Sequence, residues 1–127
     1  MSASGTNVYY ARLYGNPLDS TSGDEPMQSS QATISSGGII PLQPNARQAV
    51  EVQGSSGQVD TNTVTPIPDG VQDKQEVVLV GVSDIAPVNV KDGGNISING
   101  DCLLSANRSI ALVWNGTVSK WVATGRS

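Results

Sequence analysis

The sequence predicts an all-β fold: short antiparallel strands forming a compact β-sandwich, a barrel or a trimeric β-prism, preceded by an extended N-terminal arm. Three observations carry this. The 127-residue chain holds 14 Gly and 7 Pro, which interrupt it too often for long helices. It has no Phe, so its core must draw on Val, Ile and Leu, and β-branched side chains favour strands. In the second half, apolar stretches recur roughly every eight to ten residues with turn-forming residues between them, the spacing of a sandwich or barrel.

Residues 1–36 read as the arm. They are rich in Ser, Thr, Gly and Gln, and Asp19 to Pro26 offers too little apolar surface to fold alone. One aromatic cluster, Val8 to Tyr14, interrupts this texture. Tyr9, Tyr10, Arg12 and Tyr14 are expected to anchor the arm on a partner surface, since Tyr offers a large contact area with a polar tip. The same cluster also reads as an ordinary first strand, and the two readings are compatible.

Residues 37–127 read as the β-domain, most regular over 75–127. Val50 and Val52 alternate with Glu51, the period of a half-buried strand. Val59 to Val64 suggests another strand, ended by the proline-rich stretch Pro66 to Gly70. Glu76 to Val82 is apolar on both faces, as in a strand lying between layers or subunits. Val88 and Val90 alternate with polar neighbours, and Asp92-Gly93-Gly94-Asn95 carries the residues of a positive-φ turn. Ile96 and Ile98 alternate again, and Asn99-Gly100-Asp101 turns the chain. Cys102 to Leu104 is short. Ile110, Leu112 and Trp114 share one face of the next strand, Asn115-Gly116 signals a hairpin, and Lys120 to Ala123 returns. Val78, Val80, Val88, Val90, Ile96, Ile98, Ile110, Leu112, Trp114 and Trp121 are the expected core and trimer contacts. Strands this short leave edges open and apolar faces uncovered, so a homotrimer is expected.

Composition excludes several functions. There is no His, which removes Ser-His-Asp and Cys-His catalysis and the commonest metal ligand. Cys102 is the only cysteine, so neither a disulfide nor a zinc cluster can form within the chain, and the thiol is read as a small buried apolar group. The seven basic residues are scattered and the formal charge is −4, which disfavours nucleic acid and anionic membranes as partners. Nothing at the N-terminus resembles a signal peptide, so synthesis in the cytoplasm is expected, and the three Asn-X-Ser/Thr matches are read as chance. Asp84, Asp92 and Asp101 read as turn formers before general acids, and a calcium site from Asp92, Asn95, Asn99 and Asp101 lacks a recognised ligand spacing. Trp114 and Trp121 read as buried aromatics before a sugar-stacking platform. No enzyme activity and no cofactor are expected.

The ordered set Val78-Leu79-Val80-Gly81-Val82-Ser83-Asp84, Pro87 to Asn95, Ile96 to Gly100, Ile110 to Gly116 and Lys120-Trp121-Val122 resembles the small β-modules of tailed-bacteriophage virion proteins: head decoration proteins, head fibres and tail fibres. The resemblance covers residues 75–127. It implies a trimeric, non-enzymatic structural part of the virion. A short chain without a fibre shaft then suits a capsid decoration or cement protein on the capsid exterior, its arm holding the major capsid protein and stabilising the shell. The alternative is a tail- or head-fibre module that binds host-surface glycan or receptor.

Overall fold

The computed structural model describes residues 27–44 and 46–127, and these form a two-layer β-sandwich. Nine strands run in chain order: β1 (Gln28–Ile34), β2 (Arg47–Gly54), β3 (Val59–Asp60), β4 (Glu76–Gly81), β5 (Val88–Val90), β6 (Ile96–Ser97), β7 (Cys102–Leu104), β8 (Ser109–Asn115) and β9 (Lys120–Arg126). The large sheet has the order β1-β2-β4-β8-β9-β6 and the small one β3-β5-β7.

The sheets are mixed, which corrects the expectation of antiparallel strands. β1, β2 and β4 pair in parallel, as do β3 with β5 and β6 with β9. Only β4–β8, β8–β9 and β5–β7 are antiparallel. Parallel neighbours need long connections, and residues 35–46 and 55–75 supply them. Those connections are not mere spacers. Ile40 and Ile67 lie fully buried between the layers, and the Ile40 N–H donates to the Pro66 carbonyl at 2.9 Å.

The core follows from period-2 alternation. From the large sheet it takes Ile34, Val50, Val52, Val77, Leu79, Ile96, Ile110, Leu112, Trp114 and Trp121, and from the small one Val59, Val88, Val90, Cys102 and Leu104. One copy therefore fills its own core, and the faces that short strands were expected to leave uncovered lie outside it. The plug is the 61–70 connection, whose buried Ile67 fills the space that short strands leave.

Three local expectations change. β1 begins inside the stretch read as arm, because Ser29, Gln31 and Thr33 face water and mask the inward Ala32 and Ile34. The strand expected at 59–64 shortens to Val59–Asp60 plus an isolated bridge at Thr61. The turn at Asp92–Asn95 has both glycines at positive φ, yet it joins strands of different sheets rather than closing a hairpin. Asn115-Gly116 does open the β8–β9 hairpin, but in a four-residue loop. The positive φ falls at Ser119, and Asn115 Oδ1 accepts from the Thr117 N–H.

Candidate functional site

The aromatic anchor Tyr9, Tyr10, Arg12 and Tyr14 lies outside the described residues. The remaining singled-out residues divide between two faces. Val88, Val90, Ile96, Ile98, Ile110, Leu112, Trp114 and Trp121 are buried within this one chain. Val78 and Val80 alternate with the inward Val77 and Leu79, and so project from the outer face of the large sheet.

Trp114 and Trp121 offer no stacking platform. They are 6% and 0% exposed and meet edge to face, with ring centroids 5.3 Å apart. The Trp121 indole Nε1–H donates to the Pro68 carbonyl at 2.8 Å, tying the β8–β9 hairpin to the connection that plugs the core. Gly70 completes this packing: a Cβ there would collide with the Trp114 side chain.

The acidic turns hold the fold together. The Ile98 N–H donates to Asp92 Oδ1 and the Asp92 N–H to Asp101 Oδ1, each at 2.9 Å. The bond from Ile98, followed by that from Gly100, holds the Asp92 carboxyl below its ordinary range. Lys91 Nζ stands 2.7 Å from Asp101 Oδ2. That bond lowers the Asp101 carboxyl and raises the Lys91 ammonium. Asn95 is turned the other way: its Nδ2 donates to the Ile67 carbonyl at 2.6 Å and to Asp69 Oδ1 at 2.9 Å. These oxygens and amides therefore brace turns rather than converge on one point. Among the described residues no three His, Cys, Asp or Glu side chains come together.

The outer face of the large sheet is the notable surface. Register sets Ala49, Val78 and Ala111 side by side across β2, β4 and β8, and Val113 beside Val122 across β8 and β9. All five are half-buried. The outward face of a sheet that is covered on one side only is ordinarily polar. Here its centre is small and aliphatic. Toward β1 it changes character. Gln31, Thr33, Glu51 and Gln53, with Ala32 and Val82, line an open groove of about 380 Å³. Gln31 Nε2 donates to Glu51 Oε1 at 3.0 Å within it.

Sequence reasoning singled out Val78 and Val80 as core or trimer contacts, because an apolar run on both faces of a strand is visible locally; they are not part of this chain's core but lie on its outer face. It missed Ala49, Ala111, Val113 and Val122 as one surface. Ala111 and Val113 read only as the other side of a strand, and Ala49 aligns with them solely through pairing. The groove has no sequence signal, since its polar residues sit at ordinary outward positions.

Compared with known families, residues 32–122 match the model for the phage depolymerase C-terminal beta sandwich domain. No curated protein matches the chain.

Proposed function

Because the chain belongs to the phage depolymerase C-terminal beta sandwich family, and is thus a phage virion-associated module, we propose that it is a non-catalytic assembly and attachment part of a tail-associated protein, working as a homotrimer. The observation that carries this reading is the aliphatic outer face built from Ala49, Val78, Ala111, Val113 and Val122. Small side chains on a sheet face let a second sheet approach to about 10 Å, the spacing of packed sheets. Three copies around an axis would cover such a face in each. The commitment of Asp92 and Asp101 to backbone N–H groups and to Lys91 supports a structural over a catalytic role.

The family description favours the fibre or spike reading over capsid decoration. The decoration reading rests on the arm and on the major capsid protein as its partner. A clean test of that arm must cut before Gln28, because deleting residues 1–36 would also remove β1.

Two measurements test the proposal. Light scattering on the 127-residue chain should give a trimer, and Val113→Arg should give a folded monomer with an unchanged circular dichroism spectrum. A monomeric parent at micromolar concentration overturns the trimer. Antibody labelling of virions should mark the tail. Label spread over the head lattice in hundreds of copies overturns the tail assignment and restores the decoration reading.

A further inference from the structure

We propose that the outer edge of β1 takes an added strand, and that its occupant is the chain's own segment 8–14. This goes beyond the reading above, because it concerns a sheet edge rather than the aliphatic face.

The edge of a sheet presents unpaired backbone groups, and proteins cover or blunt it. Three of the edges among the described residues are blunted by shortness: β6 and β3 hold two residues each, and β7 three. β1 is the exception. It is a seven-residue strand that pairs with β2 from Gln28 to Ile34 in unbroken register. It contains no Pro and no charged residue to turn a partner strand away.

The direction of its free groups is fixed by the pairing. The Ser55 N–H donates to the Ile34 carbonyl at 2.9 Å, so the backbone of Ile34 faces β2. Successive residues of a paired strand aim their N–H and C=O groups to opposite sides. Those of Ser29, Gln31 and Thr33 therefore point away from β2, and none has a backbone partner among the described residues. The core is thin at the same margin. Ala32 faces inward like Ile34, yet it is only half-buried.

The occupant is argued from length, pattern and charge. Val8-Tyr9-Tyr10-Ala11-Arg12-Leu13-Tyr14 lies outside the described residues, and it matches β1 in length. Val and Tyr favour strands. A period of two puts Tyr9, Ala11 and Leu13 on one face and Val8, Tyr10, Arg12 and Tyr14 on the other. The first set would extend the inward row of Ala32 and Ile34. The second would bring Arg12 to the outer face, where Glu51 has no ion-pair partner among the described residues. Residues 15–27 join this segment to β1. Extended at ~3.3 Å per residue, they reach about 43 Å, against about 23 Å for the length of the strand. The segment can thus lie along the edge of its own chain in either direction.

The test is amide hydrogen exchange, read by nuclear magnetic resonance, on the 127-residue chain and on a variant lacking residues 1–14. The core of the sandwich begins at Ile34, so the variant should keep its circular dichroism spectrum. In the parent, the Ser29, Gln31 and Thr33 amides should exchange about tenfold more slowly than in the variant, the protection that one net hydrogen bond supports. The Val50 and Val77 amides should exchange equally in both. Cross-strand nuclear Overhauser contacts should join residues 8–14 to residues 29–33 of the parent. In a mixture of labelled and unlabelled chains, those contacts should arise within one chain. Equal exchange of the three β1 amides in parent and variant overturns the proposal. So do contacts that arise between chains, or contacts of β1 with a second β1. Light scattering on the same samples keeps the two readings apart. A trimer with unprotected β1 amides overturns the added strand alone, and a monomer with protected ones overturns the trimer alone.

Discussion

Replacing Trp121 by Phe tests the central claim that the tryptophans are structural. Trp121 is wholly buried, packs edge to face on Trp114 and donates its indole N–H to the Pro68 carbonyl at 2.8 Å. Phenylalanine keeps a ring against Trp114 but removes the donor. Leaving the Pro68 carbonyl without it costs about 1–2 kcal/mol. The smaller ring leaves a gap of about 40 Å³, worth about 1 kcal/mol at about 24 cal/mol per Å³. The total is about 2–3 kcal/mol. With a urea slope of about 1.5–2 kcal/mol per molar, the unfolding midpoint should fall by about 1.5 M. Urea titration followed by far-ultraviolet circular dichroism reads it, and Trp114 fluorescence gives a second probe. A midpoint within about 0.3 M of the parent would refute the burial and the hydrogen bond together.

Two further outcomes follow from the turns. Asp73 Oδ1 accepts from the Gly116 N–H at 2.9 Å, and this is the nitrogen that must lose its proton and attack the Asn115 carboxamide for deamidation to proceed. Asp73→Ala should therefore speed deamidation of Asn115 several-fold at pH 8, read as a one-dalton gain by peptide mass spectrometry, and equal rates would refute the protective role. The acid limb of stability should depend on Asp92 and Asp101, whose carboxyls lie below the ordinary 3.8 in the folded state. Groups with lowered folded values stabilise above the unfolded pKa of about 3.9, and the contribution is lost as pH falls through the folded value. Lys91 has the opposite sign: its raised ammonium stabilises below 10.5, and the contribution is lost as pH rises past the folded value. Asp92→Asn should flatten the urea midpoint's fall below about pH 4, and an unchanged acid limb would sink this account.

What was legible locally is what neighbours along the chain encode. Val50 and Val52, and Ile110 with Leu112, show their inward faces through alternation alone, whereas β4 is apolar on both faces and only packing shows that Val77 and Leu79, not Val78 and Val80, point inward. The glycines at 93 and 94 announce a turn of positive φ, and the Asn115-Gly116 pair announces a return of the chain. β1 stayed hidden because an edge strand with Ser, Gln and Thr outward looks like a linker. Ile40 and Ile67 stayed hidden because each sits beside prolines in a connection, with no periodicity to mark it.

By itself, the sequence determined the all-β class, the places of the long central strands and the inward residues of the strands that alternate, because side-chain alternation is a property of one strand; on β4, apolar on both faces, it could not choose between Val77 with Leu79 and Val78 with Val80. The tertiary structure alone decided which strands are neighbours and in which direction they run. A period of two is the same for parallel and antiparallel partners, so alternation cannot distinguish them. Both candidate surfaces depend on that choice. Ala49, Val78 and Ala111 become one aliphatic face, and Gln31, Thr33, Glu51 and Gln53 one groove, only when β1, β2 and β4 run side by side in register.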